Sequence, residues 1–130
     1  MANEGPLVGN SSVRAHADYS GKDTAGHYYD GRFVKLAAED EVEVCDTAGE
    51  RPLGVLYGRP KQGAPAHVVL GGRVRMIAGG TLAVGDVATT DASGKVVKST
   101  TTNHYVVGTV NEAATANQAV SVFIHGGYKI

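Results

Sequence analysis

A chain of 130 residues is long enough for one domain around a single core and too short for two ordinary ones. Its 12 Lys and Arg stand against 13 Asp and Glu, a formal net charge of -1, so no basic surplus exists to neutralise a nucleic-acid backbone or an anionic membrane surface. The one cysteine, Cys45, excludes an internal disulfide, and without a CxxC or Cys-His spacing it makes no structural zinc site.

In chain order, residues 1–30 differ in kind from the rest of the chain. They hold no apolar run of signal-peptide length, and no stretch of the chain reaches the roughly 18 consecutive apolar residues of a membrane span, so the chain is read as made and kept in the cytosol. Leu7, Val8 and Val13 are the only branched aliphatics among many glycines and serines. Such a segment buries too little apolar surface to offset its own ordering entropy. Tyr19, Tyr28 and Tyr29, with the pair Leu7-Val8, are anchors that a solvated tail does not need. The expectation is an extended N-terminal arm over 1–30, ordering against a partner, and a folded unit over 31–130.

From Gly31 the period of the sequence becomes two. "EVEVCD" sets Val42 and Val44 opposite Glu41, Glu43 and Cys45; "RVRMI" alternates Arg73 and Arg75 with Val74 and Met76; "AVSVFI" sets Val120, Val122 and Ile124 opposite Ala119, Ser121 and Phe123. Further β-branched runs, "GRFVKL", "PLGVLYG", "AHVVLGG", "DVATT", "GKVVKS" and "HYVVGTV", are mostly bounded by Gly, Pro or Asp. The one helical candidate, "KLAAEDEV", runs straight into a strand pattern and is at most a turn. The pattern predicts an all-β fold, a small β-barrel or β-sandwich.

An internal repeat refines this. "LGVLYGRPKQGAPAHVVLGG" at 53–72 aligns with 107–127, with Gly54 matching Gly108 at an offset of 54 and Gly71-Gly72 matching Gly126-Gly127 at 55. "DTAG" (Asp46 to Gly49) and "DASG" (Asp91 to Gly94) read as turns of one type at an offset of 45, which places an insertion in "STTTNH". The architecture is a pseudo-duplicated hairpin arrangement. In the second turn Asp91 can hydrogen-bond its own backbone and Gly94 can take positive φ.

No catalytic, metal or cofactor constellation emerges. His16, His27, His67, His104 and His125 have no HxH, HxxxH or HExxH spacing. There is no Gly-x-Ser-x-Gly, and Glu43 and Asp46 beside Cys45 oppose thiolate formation. The acidic run "EDE" lacks a calcium-loop pattern and reads as a solvated face. The glycines precede no helix in a phosphate-loop spacing. An enzyme would require Asp86, His104 and His125 to converge in space.

The series "VLYG…AHVVLGGRVRM…GGTLAVGDVATTDASGKVVKS…YVVGTVNEAATANQAVSVFIHGG", over about residues 50–127, resembles the capsid cement, or head decoration, proteins of tailed bacteriophages. The resemblance rests on turn glycines and strand alternation. It implies a non-enzymatic virion protein without cofactor, made in the host cytoplasm and bound to the outer capsid surface. Its partners would be the major capsid protein, whose subunits it bridges, and itself, as a homotrimer. The alternative is a carbohydrate- or receptor-binding module of a virion appendage. For that reading "STTTNHY" is the sugar-facing loop, with only His104 and Tyr105 to stack on a ring.

Overall fold

The computed structural model describes residues 8–129, and side chains over 13–125. Among these residues it contains no helix and nine strands: β1 Val8–Ala15, β2 Phe33–Ala38, β3 Glu41–Val44, β4 Gly54–Tyr57, β5 Pro65–Ile77, β6 Val87–Thr90, β7 Val96–Lys98, β8 Tyr105–Val110 and β9 Ala119–Lys129. They form one sheet in the order β1-β3-β2-β4-β5-β9-β8-β6-β7.

β1 also pairs antiparallel with β5, Val13 opposite Ala66, so the first five strands close on themselves as a barrel. Closure removes the exposed edges that open sheets must protect. The period of two then sends alternate side chains inward, and Val34, Val42, Leu56, Ala66 and Val68 fill the interior with Ala15 and Tyr19.

The second half repeats the first in its hydrogen-bond register. Val34 faces Val44 across β2 and β3, and Ala88, 54 positions on, faces Lys98 across β6 and β7. Phe33 opposite Val55 becomes Val87 opposite Thr109, and Leu56 opposite Val68 becomes Val110 opposite Val122. Left-handed backbone recurs at the same interval: Gly31 with Gly85, Asp40 with Gly94, Gly49 with Asn103, Gly63 with Asn117. At both Gly54 and Gly108 a Cβ would collide with a carbonyl oxygen of the opposing strand, that of Val69 and that of Phe123, so both halves need glycine there.

This register corrects the expected pairing of turns. The counterpart of Asp91–Gly94 is the β2–β3 turn ending at Asp40, and "DTAG" corresponds to Thr100–Asn103, so the offset stays at 54 and no insertion in "STTTNH" is needed. The two Asp-x-x-Gly turns also differ in chemistry. Asp91 Oδ1 accepts from the Ser93 and Lys95 amides at 2.8 and 2.9 Å. Around Asp46 it is Glu50 that accepts from the Asp46 and Thr47 amides, while the Asp46 carboxylate turns to Lys35.

Two further expectations change. The glycines of "AHVVLGG" do not bound its strand, because β5 runs through Gly71-Gly72 and there exchanges its β1 and β4 partners for β9, serving both halves. Nor is the described part of residues 1–30 an arm waiting for a partner. β1 lies antiparallel to β5 and parallel to β3, Arg14 opposite Glu41, and the second half of β5 occupies the matching place, with Ala78 bridged in parallel to Val96. A closing strand is held by backbone ladders to two neighbours, so it needs few aliphatics of its own. Poverty in Leu, Ile and Val was therefore no sign of independence.

Phe33, Cys45, Val55 and Val69 point away from the first barrel's interior and join Val74, Met76, Ala88, Val96, Val107, Val120 and Val122 in a continuous second core. The second half, five strands in the order β5-β9-β8-β6-β7 whose ends meet at the single Ala78–Val96 bridge, makes a second, barrel-like unit that packs on the outside of the first.

Candidate interaction surface

The expected contact residues go to different places. Leu7 lies outside the described residues, and Val8 is placed by its backbone, opposite Gly71. Tyr19 is turned inward at 7% exposure, and its hydroxyl oxygen accepts from the Val44 amide at 2.9 Å. Its ring lies 5.0 Å from that of Tyr29, over which the Arg32 guanidinium sits at 4.8 Å. These two tyrosines are internal fasteners of the long β1–β2 connection. Tyr19→Phe should cost about 1–2 kcal/mol in chemical denaturation, because the part-buried Val44 amide loses its acceptor while ring packing is kept. Unchanged stability would show that the bond contributes nothing.

Tyr28 faces outward, 36% exposed, with the Arg59 guanidinium 3.4 Å from its ring centroid and the Lys22 ammonium at 5.2 Å. The Asp30 carboxylate lies 3.6 Å from Arg59 Nε. Tyr57 is 54% exposed and meets His67 edge-on, centroids 5.8 Å apart. Next to it Arg73 and Arg75 stand exposed on β5, opposite Phe123 and Ser121 of β9, with Glu112 3.8 Å from Arg75. Tyr57 and Arg75 together line two adjoining open grooves, one floored by Val74 with Asn111 and Ser121, the other running to Asp30, Gly31 and Ala119. Exposed tyrosine and arginine held in fixed orientations are the side chains that most often anchor protein interfaces.

Sequence reasoning missed Tyr57, Arg59, Arg73, Arg75 and Phe123 as surface candidates. The signal was there in the alternation of "RVRMI" and "AVSVFI", which already put the two arginines and Phe123 on the faces opposite the core valines. What it lacked was the pairing of β5 with β9 that makes those faces one.

The chemistry-bearing residues are committed elsewhere. Cys45 is 1% exposed, and burial, with the Glu50 charge, pushes its thiol up to about 12, so no reactive thiolate forms near neutral pH. Asp86 accepts from the Ala83 amide, the His104 ring lies against Gly49, and His125 Nε2 meets Thr109 Oγ1 at 3.1 Å. No group of three or more His, Cys, Asp or Glu among the described residues is placed to hold a metal ion. In the acidic run, Glu41 hydrogen-bonds the His16 ring at 2.9 Å, which raises the imidazole pKa.

The sequence profile of the phage cement proteins matches residues 20–125, most of both barrels and the connection that carries Tyr28 and Tyr29. The chain belongs to the phage cement protein family. It is a structural protein of the phage virion. The crystal structure of the head fiber gp8.5 N base of bacteriophage phi29 has a similar fold, with a TM-score of 0.66 over 92% of this chain and 94% of that one at 21% identity. No curated protein matches the chain in sequence. This cement protein's family match begins at residue 20, upstream of the stretch in which the turn glycines carry the resemblance.

Proposed function

We propose that this cement protein binds the outer surface of the mature capsid and stabilises the shell by bridging major capsid protein subunits, acting as a homotrimer and without catalysis or cofactor. The observation that carries the reading is the Tyr28–Tyr57–Arg59–Arg75 face. It is an exposed aromatic and guanidinium surface on a nearly neutral chain. Leu7, ahead of β1, and Val8, its first residue, add a further contact near the start of the chain.

The doubly substituted Tyr57→Ala/Arg75→Glu protein should melt like the parent, since both side chains are exposed, yet bind purified particles at least tenfold more weakly, about 1.4 kcal/mol. Undiminished decoration would move the contact off this face. Binding of the isolated protein to a glycan array, with none to particles, would instead favour the carbohydrate- or receptor-binding alternative.

A further inference from the structure

The internal repeat shows what a barrel of this kind does with its outer faces. Within the chain the first barrel offers one face, Phe33, Val55 and Val69, all fully buried. The second barrel covers it with another: Gly94 accepts from the Phe33 amide at 2.7 Å, Thr90 accepts from the Gly49 amide at 2.9 Å, and Val107 joins the shared core. The contact is heterologous, because two different faces meet.

Each barrel carries the counterpart of the face it does not use. Shifted by 54 positions, Phe33, Val55 and Val69 become Val87, Thr109 and Phe123. Val87 and Thr109 are half-buried, not sealed, and Phe123 is 45% exposed where Val69 is fully buried. Shifted back, Thr90 and Val107 become Leu36 and Leu53. Thr90 and Val107 are at most 5% exposed, whereas Leu36 and Leu53 are 58% and 38% exposed. Leu36, Pro52 and Leu53 floor an open groove flanked by Lys35 and Arg51. The residue exchange matters: where the covered position carries a threonine, the uncovered one carries a leucine, which solvent alone does not favour.

We propose that the Leu36–Leu53 face of one copy docks on the Val87–Thr109–Phe123 face of another, repeating between chains the contact that the two barrels make within one. The occupant is a second copy of this chain because the covering surface for each exposed face already exists on the same molecule, in the register the fold uses internally. A heterologous contact of this type closes into a ring when its rotation permits and otherwise propagates. The inference rests on the repeat and not on capsid binding.

The test uses Leu36→Asp and Phe123→Asp in the full chain, each checked for an unchanged melt, with Leu36→Ser and Phe123→Ser in reserve should either unfold. In sedimentation equilibrium the parent should self-associate and each variant alone should be monomeric. An equimolar mixture of the two variants should give one-to-one dimers and nothing larger, because the pair retains one intact face from each. A monomeric parent, a variant that assembles like the parent, or a mixture that stays monomeric would each overturn the proposal. Particle binding, read separately, tests the capsid role, so a monomeric parent that still decorates would sink this interface and leave that role standing.

Discussion

Gly94→Val should destabilise the protein by about 3 kcal/mol, read as a lower denaturant midpoint at unchanged slope. Gly94 has φ of +78°, a region costly for a β-branched side chain. It is also enclosed: a Cβ would lie 2.6 Å from Val44 Cγ1, 3.0 Å from the Phe33 carbonyl oxygen and 3.2 Å from Arg32 Cβ. The substitution therefore strains the β6–β7 turn and at the same time pushes the second barrel off the first, which its Gly94 carbonyl grips through the Phe33 amide. Gly63 is the control. It has the same φ of +78° with nothing within 4 Å of a Cβ, and its counterpart in the second half is Asn117 at +69°. Gly63→Val should carry the backbone strain without the clash and cost about 1–2 kcal/mol, clearly less than Gly94→Val. Equal effects at the two sites would mean that backbone conformation alone, and not the barrel contact, sets the cost at Gly94.

Arg32→Met should cost about 3 kcal/mol near neutral pH, and the deficit should shrink in acid. Arg32 is 2% exposed and joins three elements: its Nη2 donates to Asp23 at 2.5 Å, its Nη1 to the Ser93 carbonyl at 3.2 Å, and its guanidinium covers the Tyr29 ring. Methionine fills much of the same volume but leaves the Asp23 carboxylate, 16% exposed, with only the Ala25 and His27 amides to meet its charge. That residual solvation and those two donors keep the cost at the lower end of the range for a broken buried pair. The Arg32 hydrogen bond, then the His27 amide, hold the Asp23 carboxyl well below the usual carboxylate range. Because the folded value is depressed, the contribution is complete above the unfolded value of about 4 and is lost as pH falls through and below it. Denaturation at pH 7 and at pH 3 should show the difference between parent and Arg32→Met narrowing at the lower pH. A gap independent of pH would mean that the loss is one of packing and not of the ion pair.

Alternation in "EVEVCD", "RVRMI" and "AVSVFI", punctuated by glycine and aspartate, was enough to establish an all-β chain, the inward identity of Val42, Val74, Val120 and Val122, and the duplication anchored on Gly54 and Gly108, because side-chain period and backbone sterics are local properties of the chain. Membership of the cement family was legible for the same reason, since its pattern is made of turn glycines and strand alternation. Which strands meet was not local. β1 joins β3 and β5 across sequence separations that no periodicity records, and the choice was made by closing a barrel whose interior Ala15 and Tyr19 help to fill. The same closure turned Tyr19 and Tyr29 from expected partner contacts into internal ones. It also gave the Asp46 carboxylate to Lys35 of the neighbouring strand β2, while the local Glu50 took the amides of the turn. The exposed faces were decided last, by the packing of one barrel on the outside of the other: that contact buries Phe33, Val55 and Val69 and leaves Phe123 and Leu36 in water, although the chain presents both sets with the same alternating pattern.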